Sequence, residues 1–267
     1  MTNYLELANQ VSQIARQAGA AIMAIYETED FGVEMKADDS PLTKADKAAN
    51  DIIVAGLEAL AFQAPIISEE GKKMTYATRS QFTRFWLVDP LDGTKEFIKR
   101  NGDFTVNIAL VETGKPILGV VYVPVTNELF YSAPGEGAFE VLKDGGTPRK
   151  ISAASFTLQD VNLRIVASAS HLNQETEDFM ARFDRPEIVQ RGSSLKIMEL
   201  ARGNAHLYPR LAPTMEWDTA AAHAILLEAG GKMVDDGSGK EMRYNKASLL
   251  NPHFIGYGAV REEPLAC

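Results

Sequence analysis

Two carboxylates three residues apart at the end of an apolar run are the first chemical signal in the chain. They are Asp89 and Asp92 of Asp89-Pro90-Leu91-Asp92-Gly93-Thr94, entered from Phe85-Trp86-Leu87-Val88. Pro90 ends the strand that the apolar run predicts, and Gly93 admits a backbone angle that other residues resist, so both carboxylates turn toward one point. Like charges at short range repel unless one takes a proton or a cation lies between them. A hard dication with oxygen ligands resolves the repulsion, and Mg2+ takes few carboxylates while keeping waters and substrate phosphate oxygens around it. The same string also serves as a plain turn into a helix cap, and alone it leaves both readings open.

Two further segments bear on that choice. Ile66-Ile67-Ser68-Glu69-Glu70-Gly71 is a short apolar strand ending in two acids, which by itself reads as a solvated turn. Trp217-Asp218-Thr219-Ala220-Ala221-Ala222 opens a helix that closes at Gly230-Gly231, with Asp218 placed as its N-cap. Three acid-tipped element ends, each following apolar residues, are what an oxygen-ligand site between layers requires. A helix N-terminus also favours an anion, so Asp218 can hold a metal while the amides behind it orient phosphate or sugar groups.

The elements that position these acids follow from periodicity. Leu7, Val11, Ile14, Ala18, Ile22 and Ile25 form one stripe of a long N-terminal helix. A second helix is expected from Thr43 through Ala45, Ala48, Ile52, Ile53, Leu57 and Leu60 until Pro65 stops it. Between them Lys36-Ala37-Asp38-Asp39-Ser40-Pro41 is a polar loop that can reach toward a site. Phe104 to Val111 and Ile117 to Val123, flanking Glu112-Thr113-Gly114-Lys115-Pro116, predict a hairpin, and Leu129 to Tyr131 and Ala138 to Val141 extend the same antiparallel sheet. After the turn-rich Lys143 to Pro148, short strands such as Leu163 to Ala167 alternate with helical runs such as Ser194 to Ala201 and Thr219 to Ala229. The expectation is a mixed α+β and α/β chain of two packed parts, 1–155 carrying the metal site and 156–267 the substrate contacts, with a cleft between them.

Composition bounds the partner. The chain has 267 residues, 45% of them hydrophobic, enough for a substantial core. A net charge of -9 argues against a nucleic-acid polymer, which is gripped by clustered Lys and Arg, while a small anion remains compatible with a few local cations or a metal. The lone Cys267 precludes an intrachain disulfide or cysteine metal cluster and suits a reducing cytoplasm. The N-terminus lacks a basic leader and an apolar core, and no apolar run reaches the ~20 residues needed to span a bilayer. Peripheral attachment to the cytoplasmic face of the membrane stays open, as does the choice between monomer and homodimer.

Trp86-Leu87-Val88-Asp89-Pro90-Leu91-Asp92-Gly93-Thr94, with Trp217-Asp218-Thr219-Ala220-Ala221, resembles the paired signature of the inositol monophosphatase superfamily of lithium-sensitive, Mg2+-dependent phosphatases. The similarity covers nearly the whole chain in the right order. Lys95-Glu96-Phe97-Ile98-Lys99-Arg100-Asn101-Gly102 and Gly192-Ser193-Ser194-Leu195-Lys196 are similar to the 3'(2'),5'-bisphosphate nucleotidase branch, the bacterial CysQ type. The resemblance implies a layered α-β-α-β-α sandwich. It also implies that Glu69, Asp89, the Leu91 carbonyl, Asp92 and Asp218 ligate two or three Mg2+ ions, and that Asp46 and Thr94 activate the attacking water, with Glu70 a neighbouring acid. Substrate contacts would come from Glu69, Leu91, Asp92, Gly93, Thr94, Asp218, His171, Ser193, Lys196 and Arg210, Arg210 meeting a second phosphate. One departure is Ala169 in Ser168-Ala169-Ser170-His171, where relatives often carry Arg, which puts affinity for the purine in question.

The expected reaction is hydrolysis of adenosine 3',5'-bisphosphate, a small bisphosphorylated nucleotide of sulfur metabolism, to AMP and phosphate by metal-activated water. A haloacid-dehalogenase route needs a nucleophilic Asp two residues before Asp92, where Pro90 stands, and no GxxxxGK[ST] phosphate loop is present. An inositol-phosphate or sugar-phosphate phosphatase is the alternative, disfavoured by the missing acid near Leu211. A non-catalytic nucleotide-binding regulator on the same fold is the reading from a different class. His206, His223 and His253 lack metal-ligand spacing and are expected to be structural.

Overall fold

The structure, a computed structural model, describes residues 2–28, 31–35, 41–143, 145–168 and 173–261. Its helices are α1 (Tyr4–Tyr26), α2 (Lys44–Ala59), α3 (Tyr76–Arg79), α4 (Thr94–Ile98), α5 (Gln174–Met180), α6 (Leu195–Ala201) and α7 (Glu216–Glu228). The Asn3 side chain accepts the Glu6 amide to start α1, whose stripe Leu7, Val11, Ile14, Ala18 and Ile22 is buried. Thr43 and Asp46 close a capping box at the start of α2. That helix ends at Ala59, well before Pro65, because the Gln63 amide takes the open carbonyls of Glu58 and Leu60 at 3.1 and 2.5 Å. Most of the polar loop before α2, residues 36–40, lies outside the described residues.

Seven strands form a large sheet whose spatial order is its chain order: Ile66–Ser68, Arg84–Asp92, Thr105–Glu112, Lys115–Val123, Glu128–Ala133, Gly137–Val141 and Arg149–Ile151. The first pair is parallel and the rest antiparallel. The central hairpin turns on Thr113 and Gly114 alone, with φ of 48° and 75°, the backbone that matches strand twist. Pro116 thus enters the ladder, opposite Val111 at a bulge, where its missing N–H does no harm. A five-stranded sheet runs Glu187–Arg191, Arg164–Ser168, Leu207–Arg210, Phe254–Tyr257, Lys232–Asp235, parallel across its first three strands and antiparallel beyond.

Alternation along each strand decides the layers. Trp86 and Val88 face α1 and α2, in one core with Ile108, Leu110, Val120 and Ile53. Phe85 and Leu87 face the other way, into a core with Ile197, Leu200, Ala221 and Ile225 of α6 and α7 and with Val166, Tyr208 and Phe254 of the small sheet. The far side of the small sheet packs Ile165, Leu207 and Ile255 on Phe179 and Met180 of α5. The result is the α-β-α-β-α sandwich. α7, caught between two sheets, is buried nearly all round, and lies so close to the large sheet that a Cβ at Gly119 would collide with the Ala221 carbonyl. That depth carries the start of α7 to the end of the strand Arg84–Asp92.

Candidate active site

The strand Arg84–Asp92 loses its regular register between Asp89 and Asp92, and Gly93 then takes φ 95° to start α4. A Cβ at Gly93 would stand 3.0 Å from the Asp103 carbonyl, so glycine is required twice over. Asp89 is buried, and its Oδ1 accepts the Leu91 amide at 3.0 Å. Asp218 is not the N-cap of α7; Met215 is, and Asp218 sits in the first turn with Oδ2 accepting the Met215 amide at 2.9 Å. Asp46 occupies the same place in α2, its Oδ2 accepting the Thr43 amide at 2.7 Å and hydroxyl at 2.6 Å. Asp218 and Asp46 are each steadied by their own helix start through Oδ2, and Asp46 turns its Oδ1 to the site. That oxygen of Asp46 accepts the Thr94 hydroxyl at 3.2 Å.

One oxygen each of Asp89, Asp92 and Asp218 lie within 4.8 Å of one another. Two oxygens on opposite sides of a Mg2+ or Ca2+ ion stand roughly 4–5 Å apart, so the spacing suits a shared cation. Burial pushes Asp89 well above the usual carboxylate range, and the charges of Glu69, Asp92, Asp218 and Asp46 push it further. Asp218 is also raised well above that range, first by burial and then by Asp92, against the Met215 amide and Arg210. Hard oxygen donors whose mutual repulsion is this strong fit a divalent cation of the Mg2+ class. Glu69 and Glu70 lie half-buried after the strand Ile66–Ser68, the Glu69 amide bonded to the Val88 carbonyl beside Asp89.

Asp92 is gripped from across the molecule. Its Oδ2 accepts the Ser193 hydroxyl at 2.5 Å, the Ser194 amide at 2.7 Å and the Ser194 hydroxyl at 2.9 Å, with the Asn107 amide group at 3.4 Å. Asn107 Nδ2 also bonds Ser194 Oγ at 2.7 Å, and Thr105 Oγ1 bonds Ser193 Oγ at 2.8 Å. Ser193 holds a left-handed backbone, φ 49°, to make these bonds. The Gly192 amide adds a bond to Asp103 at 2.8 Å. Sequence reasoning missed Thr105, Asn107 and Ser194 as parts of the site. The available signal was Asn107, a polar interruption in the run Val106 to Val111.

A cavity of about 220 Å³ opens from Asp92, Gly93 and Asp218. Its other walls include Ser193, Lys196, Tyr208 and Arg210, with Lys95 and Glu96 of α4 and Lys99 just after it. Lys196 is buried, which lowers its ammonium to about 8 although Asp92 holds it up. Arg210 donates to the Pro213 carbonyl at 2.9 Å while its buried Nε has no partner. His171 and Ala169 lie outside the described residues. None of the other three histidines lines this cavity: His206 Nδ1 accepts the Arg164 amide at 2.9 Å, His223 is buried against Tyr244 at 2.9 Å, and His253 is exposed. Burial keeps His223 neutral, lowered to about 3.

With this geometry the chain belongs to the inositol monophosphatase family, whose model matches residues 3–259. Phosphatases of that family depend on metal ions, and the acidic cluster is present. The 3'(2'),5'-bisphosphate nucleotidase CysQ of Shigella flexneri is 46% identical over 248 residues, 92% of this chain and 97% of that protein. Its namesake in Escherichia coli strain K12 is 45% identical over 249 residues, with the same coverage. The crystal structure of CysQ from Bacteroides thetaiotaomicron superposes with a TM-score of 0.84 at 44% identity, over 97% of this chain and 99% of that one. An IMPase from Thermotoga maritima follows at TM-score 0.75 and 27% identity, covering 95% and 92%.

Proposed function

We propose that the protein is a Mg2+-dependent 3'(2'),5'-bisphosphate nucleotidase that converts adenosine 3',5'-bisphosphate to AMP and phosphate. The observation that carries this reading is a single cavity joining the carboxylate cluster to Lys196 and Arg210. A scissile phosphate belongs at the carboxylates with their cation, and a second phosphate at the ammonium and guanidinium. The high identity to the CysQ nucleotidases over nearly the whole chain supports the same substrate class.

Glu69, Asp89, the Leu91 carbonyl, Asp92 and Asp218 are the proposed ligands. Because each Mg2+ uses only one or two carboxylates, these donors accommodate two or three ions. When bound, the ions supply positive charge that polarises the phosphate and acidifies the attacking water. Thr94 Oγ accepts a proton from that water as its own passes to Asp46 Oδ1, along the hydrogen bond already present. Glu70 stays in the proposed catalytic set as a neighbouring acid with no step assigned to it. Ser193 and Ser194 hold Asp92 in place; Gly93, Lys196 and Arg210 face the substrate, and His171 is proposed beside the nucleotide. In this division 1–155 supplies most ligands and 156–267 most substrate contacts, with Asp218 crossing between them. A cytoplasmic location belongs to the same proposal, supported by the single cysteine. Among the described residues no helix is long and apolar enough to cross a membrane.

Phosphate release from adenosine 3',5'-bisphosphate and inositol 1-phosphate, each with and without Mg2+ and Li+, tests the reading. Turnover of the nucleotide should require Mg2+, fall with Li+, and exceed that of inositol 1-phosphate about 100-fold in kcat/KM. Faster turnover of inositol 1-phosphate, or tight nucleotide binding without release, would overturn it. The Lys196 charge adds a pH signature. Its ammonium is present below about 8 and is lost above it, so kcat/KM for the bisphosphate should fall on the alkaline side of that value. Lys196→Arg, charged throughout, should flatten that limb of the pH–rate profile.

A further inference from the structure

The mouth of the cavity carries charges that the reading above leaves unused. Lys95 and Lys99 both line it. They stand four positions apart in and just after α4, so their side chains project on one face. Both are exposed, and among the described residues neither ammonium meets a carboxylate within ion-pair distance. Ion pairs elsewhere take up several of the exposed cations, as in Lys47 with Glu34 and Arg149 with Glu140. With Lys196 and Arg210 they bring four cations to the wall of one cavity in a chain of net charge -9. Glu96 and the carboxylates of the cluster oppose them in the cavity lining, with Asp103 close enough to act on Lys196.

Position gives these lysines a specific task. α4 begins at Gly93, directly after Asp92, so it is fixed to the carboxylate cluster by the same turn that sets the ligands. Phe97, the inward residue between the two lysines, is fully buried against Phe31 and Phe104, which holds the helix rigid. A group bonded at the cluster therefore leaves the rest of its molecule in the cavity that Lys95, Lys99, Lys196 and Arg210 all line.

We propose that Lys95 and Lys99 are specificity-determining residues, which with Lys196 and Arg210 hold the non-scissile phosphate at the cavity wall and so select bisphosphorylated over monophosphorylated substrates. This rests on the nucleotidase reading and assigns the selectivity within it. The lysines take no part in the chemistry at the cluster, so their removal weakens binding of the second phosphate and leaves turnover of a substrate lacking it unchanged.

The test compares Lys95→Gln, Lys99→Gln and the double variant with wild type on adenosine 3',5'-bisphosphate and on adenosine 3'-monophosphate, which lacks the second phosphate. The expected result is a rise in KM for the bisphosphate of about 5–10-fold per lysine, with kcat nearly constant and with kcat/KM for the monophosphate within about 2-fold of wild type. Titration calorimetry in EDTA should show the same loss of affinity for the bisphosphate and none for the monophosphate. Lys95→Arg and Lys99→Arg should restore most of the preference. A preference for the bisphosphate unchanged in the double variant, or equal losses on both substrates, would overturn the assignment while leaving the nucleotidase reading in place. Failure of wild type itself to hydrolyse the bisphosphate would overturn both.

Discussion

Asp89→Asn is expected to cut phosphate release from adenosine 3',5'-bisphosphate at least about 1,000-fold and, in EDTA, to raise the melting temperature by about 2–4 °C. Both effects have one cause. Asp89 is buried among Glu69, Asp92, Asp218 and Asp46, and its carboxyl is held well above the usual range. A carboxyl whose folded value is raised binds its proton more tightly folded than unfolded. Its contribution to stability is therefore present below the unfolded value near 4 and is lost as pH rises through the raised value. At neutral pH without a cation, the site opposes the fold. Asparagine keeps an oxygen for the Leu91 amide, which now bonds Oδ1 at 3.0 Å, and removes the charge that is repelled. The same change deletes one of the charges that would hold the cation, so the gain in stability should accompany the loss of turnover. Wild-type activity in the variant, or a lower melting temperature in EDTA, would refute the site.

How much of this was readable in the sequence depends on distance along the chain. Asp89, Asp92 and Gly93 were legible because one short segment fixes their geometry, and Gly93 does take the left-handed angle. The layers were legible from the alternation of Phe85, Trp86, Leu87 and Val88 between two cores. The end of α2 was not, because a side chain three residues past Leu60 terminates it where the apolar pattern still runs. Nor was the start of α7, where Asp218 has the residue type of an N-cap but the position of a first-turn acid. The grip on Asp92 was hidden for a different reason. Asn107 and Ser194 lie 87 positions apart and meet only when α6 packs on the large sheet. Single residues of ordinary type carry no mark of such a meeting.

Asp46 holds the second large effect, because one side chain serves two purposes that can be separated. Oδ2 caps α2 through Thr43, and Oδ1 accepts the Thr94 hydroxyl at 3.2 Å. Asp46→Asn should keep the shape of the cap while removing the proposed proton acceptor, lowering kcat by about 100- to 10,000-fold with little change in KM. Thr43→Ala removes a capping hydroxyl that bonds Asp46 at 2.6 Å, yet leaves Oδ1 facing Thr94. It should cost about 1 kcal/mol of stability and keep kcat within about 10-fold of wild type. Thr94→Val should cost nearly as much activity as Asp46→Asn, and the double variant little more than either, because a relay broken at one link gains nothing from breaking the next. Stopped assays of kcat with thermal melts of all four variants measure this. Additive losses would mean that Thr94 and Asp46 act separately, and a collapse of kcat in Thr43→Ala would reduce Asp46 to a cap. With the two roles separated, the first turn of α2 joins that of α7 as a helix start whose acid steadies its own backbone through Oδ2 beside the carboxylate cluster.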